Sequence, residues 1–149
     1  MKIEEFLQPA NVVIELRAGD KEAALRELAG RAGTTLNWDT QVLLQALYER
    51  EELGSTGLGD GIAIPHVRLL GIDRPFGILA RLKRPIEFAA VDGRPVDVLF
   101  LLVLPREAKG SSQLNALACV ARRLRDEPTV KAIRQASDAE AAYHAIISR

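Results

Sequence analysis

Residues 96–104, Val96-Asp97-Val98-Leu99-Phe100-Leu101-Leu102-Val103-Leu104, constrain the fold most, because they are apolar at odd and even positions alike. In a strand, successive side chains point to opposite faces, so such a run must be covered on both sides. That is the pattern of a central strand sandwiched between helices. The run contains Asp97 and falls well short of the ~20 apolar residues a membrane-spanning helix needs.

The flanks supply the covering helices. Asp20 caps a helix carrying Ala24, Leu25, Leu28, Ala29 and Ala32 at helical spacing, with Gly33 read as its stop. Asp39 opens a second, whose apolar side holds Val42, Leu43, Ala46, Leu47 and Leu53 and which Gly54 ends. Its last turn crowds Glu49, Glu51 and Glu52 around Arg50. Acids are unfavourable at a helix C-terminus, so local function is expected to outweigh local stability there. Ser111 or Ser112 caps a third helix with Leu114, Leu117, Ala118, Ala121 and Leu124, and Pro128 restarts a short one. Ser137-Asp138-Ala139-Glu140 is a capping-box sequence for the last.

Strands are predicted at 11–16, 62–64, 76–82 and 86–91, the last joined to 96–104 through the turn pair Asp92-Gly93. Hairpin-like pairs among alternating helices and strands predict an α/β fold, a three-layer α/β/α sandwich with a central mixed β-sheet flanked by helices. No repeat, low-complexity tract or linker divides the chain, so residues 1–149 are expected to form a single domain.

Composition removes several classes of function. With 48% hydrophobic and 27% charged residues the chain is globular rather than disordered. Its 20 basic and 20 acidic residues cancel, which leaves no bulk field for nucleic acid or an anionic membrane surface. The single Cys119 cannot form an internal disulfide, and the start Met1-Lys2-Ile3-Glu4-Glu5-Phe6 has no apolar signal core. The expectation is a cytoplasmic protein that inserts no segment of its own into a membrane.

Chemistry concentrates in residues 49–66. Four glycines, Gly54, Gly57, Gly59 and Gly61, surround Ser55 and Thr56, and Pro65 precedes His66. Glycines let backbone N–H groups turn towards an anion. A nucleotide loop is nevertheless the wrong reading, because such loops run strand, glycines, helix, whereas here the order is helix, glycines, strand. His66 carries an imidazole that titrates near ~6.5, so its neutral nucleophilic form is abundant at neutral pH. Pro65 biases Ile64 to extended geometry and is expected to hold His66 at a strand end. Arg50, Ser55 and Thr56 are all capable of phosphate contacts, which makes a phosphorylated histidine the reading of this stretch.

The run Arg50-Glu51-Glu52-Leu53-Gly54-Ser55-Thr56-Gly57-Leu58-Gly59-Asp60-Gly61-Ile62-Ala63-Ile64-Pro65-His66 resembles the active-site signature of the fructose/mannitol-type IIA domains of the bacterial phosphoenolpyruvate:sugar phosphotransferase system. The Gly54-Ser55-Thr56-Gly57 wording is most similar to their nitrogen-regulatory members. The resemblance implies a phosphoprotein in which His66 accepts phosphate on Nε2 from a histidine phosphocarrier protein. Arg50 would neutralise the phosphoryl oxygens, and Ser55 and Thr56 would lie beside them. It implies neither metal nor organic cofactor. Partners would be regulatory target proteins in signal transduction, or alternatively a sugar-specific IIB domain in a transport reading.

The sequence departs from the family pattern twice. After the histidine the family usually has a small residue, most often Gly; Val67 is expected to restrict the backbone and crowd a partner. A second family histidine matches Gln113 in Gln113-Leu114-Asn115-Ala116-Leu117, which can donate a hydrogen bond to a phosphoryl oxygen but cannot become cationic. These two residues are the only support for a third reading, a binding module that is not phosphorylated.

Other candidates have plainer readings. His144 is expected to be partly exposed and structural, and Cys119 a small core residue. Two His and one Cys at wide separations give no zinc site. Arg122, Arg123 and Arg125 read as a helix end that complements its dipole. Arg81, Lys83 and Arg84 are expected to face water beside a sheet edge.

Overall fold

The structure is a computed structural model; it describes residues 1–107 and 112–148, with 112–114 described in backbone only. Among these residues the elements run β1 (Val12–Leu16), α1 (Lys21–Leu36), α2 (Thr40–Leu53), β2 (Gly57–Gly59), β3 (Ile62–Ala63), β4 (His66–Leu69), β5 (Phe76–Ile86), β6 (Val96–Pro105), α3 (Ser112–Arg125), α4 (Glu127–Gln135) and α5 (Ala139–Ile147). Two 3-10 turns, Ile3–Glu5 and Pro9–Asn11, precede β1.

The strands form one mixed sheet in the order β1-β5-β6-β3-β2, with β4 also pairing β6. β6 is central, antiparallel to β5 and parallel to β3 and β4. It is buried along its length apart from the half-buried Asp97. Its side chains alternate as predicted. Leu99, Leu101 and Val103 join the cluster formed with Leu25, Leu28, Leu43 and Leu47 of α1 and α2. Val98, Phe100, Leu102 and Leu104 join the opposite cluster with Ala116, Val120, Ile133 and Ile146 of α3–α5. Covering both faces of this strand makes the three layers, and the α/β/α sandwich is the fold.

The structure corrects several local readings. Gly33 does not stop α1, which continues to Leu36 and ends at Asn37 in a left-handed turn with φ 56°. A Cβ at Gly33 would lie 2.6 Å from Thr40 Oγ1, so the glycine allows the start of α2 to pack closely on α1. The buried side of α2 is Leu43, Leu44 and Leu47, whereas Val42 and Leu53 are exposed. Asp138, rather than Ser137, caps α5, accepting from Ala141 N–H at 2.8 Å. Ser111 lies outside the described residues.

Residues 86–91 are not a separate strand. β5 extends to Ile86, with a register shift against β6 between Arg81 and Ile86, and the chain then leaves the ladder because Ala89 adopts a left-handed φ of 54° while Glu87 Oε1 accepts its N–H at 2.8 Å. The predicted strand at 62–64 is the first half of a broken one. β3 and β4 lie in succession along the same edge of β6, with Ile62 opposite Val98 and His66 opposite Leu102. Pro65 cannot donate to the ladder, but its carbonyl accepts Leu102 N–H at 2.9 Å, so the strand resumes after it.

Candidate functional site

The site gathers where α2 ends, the glycine-rich segment turns, and β4 begins. Asp39 caps the start of α2, accepting from Gln41 N–H at 2.8 Å, and Gly54 closes its other end. This places Arg50 in the last turn. Its Nη1 donates to Gly54 O at 2.8 Å, holding the guanidinium, and its Nε donates to His66 Nε2 at 3.3 Å. His66 is half-buried and at a strand end as expected, opening β4 after Pro65.

The other ring nitrogen is also held. His66 Nδ1 lies 2.8 Å from Ile64 O, a contact that requires a proton on Nδ1. That bond fixes the tautomer and leaves the lone pair on Nε2. The His66 pKa is lowered from the ordinary imidazole value, first by desolvation and further by the charges of Arg50 and Arg68; the Ile64 bond and Glu51 oppose the shift. The ring is therefore neutral at neutral pH, with its reactive nitrogen facing a guanidinium. The pair combines a nucleophile with a cation suited to a phosphoryl oxyanion.

Ser55 and Thr56 lie in the same loop, but their hydroxyls are turned to the protein. Ser55 Oγ donates to Phe88 O at 2.8 Å and accepts Gly57 N–H at 3.0 Å. Thr56 is 4% exposed; its hydroxyl donates to Glu51 Oε2, and its N–H donates to Glu51 Oε1 at 3.1 Å. The glycines are not an inward-facing anion cradle either. Gly57 and Gly59 belong to β2, and a Cβ at Gly57 would lie 2.8 Å from that of Ala90. Gly61 adopts φ 82° and admits the Arg134 guanidinium, whose Nη2 would be 2.4 Å from a Cβ there.

Two departures from the family pattern have different outcomes. Val67 is 5% exposed and packs in the α1/α2 core, so it does not crowd a partner, and its branching suits a strand. The Gln113 side chain lies outside the described residues.

The remaining candidates stand apart from this cluster. His144 is exposed and lies 3.6 Å from Glu140, one helical turn away. Cys119 is buried in the α3–α5 core, where burial raises its thiol pKa. Arg81 does not face water as expected; it donates to Ile133, Arg134 and Ala136 carbonyls at the end of α4. Arg123 does the same for Ile146 and Ala145 at the end of α5. Among the described residues no three His, Cys, Asp or Glu side chains converge as for a metal, and no helix is long and apolar enough to cross a membrane.

Residue reasoning passed over three members of the site. Glu51 stands inside the quoted motif, and its place in an unfavourable helix turn was the available signal. Lys21, whose Nζ is 2.7 Å from Glu51 Oε1, and the Phe88 carbonyl come from distant parts of the chain and left none.

Residues 5–149 match the family model described as the phosphoenolpyruvate-dependent sugar phosphotransferase system, EIIA 2. The chain belongs to this family. A nitrogen regulatory protein of Bradyrhizobium diazoefficiens is 41% identical over 143 residues, covering 96% of this chain and 93% of that protein. The crystal structure of nitrogen regulatory protein IIA-Ntr from Neisseria meningitidis superposes with a TM-score of 0.90 at 30% identity, over 97% of this chain and 98% of that one. An Escherichia coli mannitol IIA, solved in complex with phosphorylated enzyme IIB, shares the fold with a TM-score of 0.79 at 15% identity, over 97% of this chain and 100% of that chain.

Proposed function

We propose that this EIIA domain is a phosphohistidine carrier of the nitrogen-regulatory type, with residues 1–149 acting as one domain in the cytoplasm. The observation that carries the site assignment is the Arg50–His66 pair: a tautomer-fixed imidazole offers Nε2 directly beside a guanidinium. The donor is a histidine phosphocarrier protein charged from phosphoenolpyruvate.

In the transfer, the His66 Nε2 lone pair forms a bond to phosphorus as the donor's N–P bond breaks. The donor imidazole leaves with that electron pair and is neutral, because its other nitrogen already bears a proton. His66 keeps its Nδ1 proton and takes the ring's positive charge, which the Ile64 carbonyl stabilises. Arg50 releases Nε2 and turns its N–H donors to the phosphoryl oxygens. Ser55 and Thr56 shape the loop from behind, and Gln113, second in the sequence of α3, replaces a second family histidine with a neutral residue. The dianion gained at a half-buried histidine changes which regulatory proteins the surface binds.

The alternative, a sugar-transport unit passing phosphate to a IIB domain, has less support, since the 41% identical relative is a nitrogen regulatory protein. A module that takes no phosphate loses one of its two supports with the burial of Val67. Incubation with phosphoenolpyruvate and the two upstream phosphotransfer proteins tests the reading. An acid-labile label that vanishes in His66→Ala is the expected result. No label, under conditions that charge the upstream carrier, would refute it, and efficient onward transfer to a IIB domain would favour transport.

A further inference from the structure

Glu51 is a buried carboxylate set where a carboxylate is least favourable. It lies in the last turn of α2, beside carbonyls that carry partial negative charge, and its side chain is only 7% exposed. A buried ion pair contributes little net stability, because desolvation offsets the attraction. An apolar side chain would hold the fold more cheaply, so the stability of α2 does not explain the residue.

Its contacts do. Oε1 accepts Thr56 N–H at 3.1 Å and faces Lys21 Nζ at 2.7 Å, while Oε2 accepts the Thr56 hydroxyl. Lys21 also donates to Phe88 O at 3.4 Å and sits 4.5 Å above the Phe88 ring. That same Phe88 carbonyl accepts the Ser55 hydroxyl. One carboxylate thus joins α1, the end of α2, the 55–57 loop and the segment after β5. Arg50 is its immediate neighbour on the helix.

We infer that Glu51 is a positioning residue for phosphorylation of His66. It locks the Ser55–Thr56 loop to the helix end bearing Arg50, so that guanidinium and imidazole meet the phosphoryl group with little reorganisation. The inference rests on the carrier reading of His66. It also has an electrostatic side. The charges acting on the ring are Arg50 and Glu51 from α2 and Arg68 from β4, and Lys21 of α1 is paired with Glu51. Glu51 is the negative member of that set, so its neutralisation extends the neutral imidazole to lower pH.

The test compares labelling rates of wild type, Glu51→Gln, Thr56→Ala, Thr56→Ser and the Glu51→Gln/Thr56→Ala double variant across pH. Phosphoenolpyruvate and the upstream proteins charge them, and the upstream carrier's own charging is measured at each pH. Glu51→Gln is expected to label on the order of tenfold more slowly at neutral pH, with the acid limb displaced to lower pH. Thr56→Ala should be slowed without that displacement, Thr56→Ser should stay near wild type, and the double variant should be no slower than Glu51→Gln alone. A folded Glu51→Gln with wild-type rate and an unmoved acid limb overturns the inference, as do additive losses in the double variant. Should Glu51→Gln fail to fold, equal rates for Thr56→Ala and Thr56→Ser overturn it instead. A wild type that takes no label sinks the carrier reading itself, a separate outcome.

Discussion

Arg50 and Arg81 sit at two helix ends and do different jobs with the same group. Arg81 reaches from β5 to three carbonyls at the end of α4, at 2.8, 3.2 and 2.8 Å. The Ile133 carbonyl also accepts Ala136 N–H at 3.3 Å, and the arginine completes the bonding of this helix end, so it belongs to the scaffold. Arg50 also satisfies a carbonyl, that of Gly54, but its Nε donates to the lone pair of His66 Nε2. In the proposed transfer that nitrogen must be freed to take phosphate, so the second bond is one to be exchanged. The comparison separates site from scaffold by which hydrogen bonds can be given up.

Replacing residues on each side sharpens the contrast. His66→Ala should abolish the acid-labile label altogether while leaving the domain folded, as judged by phosphate incorporation and circular dichroism; a label that persists elsewhere would move the site. Arg50→Ala should slow labelling on the order of a hundredfold, since it removes the charge aimed at the developing phosphoryl anion. Its chemical denaturation midpoint should change little. Arg81→Ala should do the reverse, lowering stability by about 2 kcal/mol through unsatisfied carbonyls and labelling at the wild-type rate. Equal effects of the two arginine variants on both readouts would erase the distinction.

The smallest expected effect is that of pH on stability. Desolvation lowers the His66 pKa, so the unfolded chain takes up that proton more readily than the folded one. The contribution is present above the unfolded value of ~6.5 and is lost as pH falls through the folded value. Denaturant midpoints should therefore fall more steeply on acidification for wild type than for His66→Ala. Parallel curves would mean that the ring is not desolvated as the structure has it.

How much of this was legible depended on how local the causes were. β6 was plain because both its faces are apolar, and Asp20 and Asp39 marked their helices by capping chemistry that acts within three residues. Arg50 and His66 were legible from a contiguous motif. The broken strand was not, because a proline ends most strands and only the bond from Leu102 N–H of β6 to the Pro65 carbonyl shows that this one resumes. Residues 86–91 looked like a strand by composition, yet Ala89 takes a left-handed turn and the Phe88 carbonyl serves Ser55 instead of a ladder. The orientation of Ser55 was invisible for the same reason, its partner lying 33 positions away. Thr56 was misjudged more locally: Glu51 was in view, but nothing in the spacing says that a helix-end carboxylate turns inward.

The central claim is that one named ring nitrogen carries the phosphate. It is tested most directly by charging protein with 15N-labelled histidine and recording the phosphorus–nitrogen coupling by nuclear magnetic resonance. The account predicts a single phosphorylated histidine, His66, coupled at Nε2 and still protonated at the Nδ1 that faces the Ile64 carbonyl. Phosphorus coupled to Nδ1, or to the His144 ring, would contradict it.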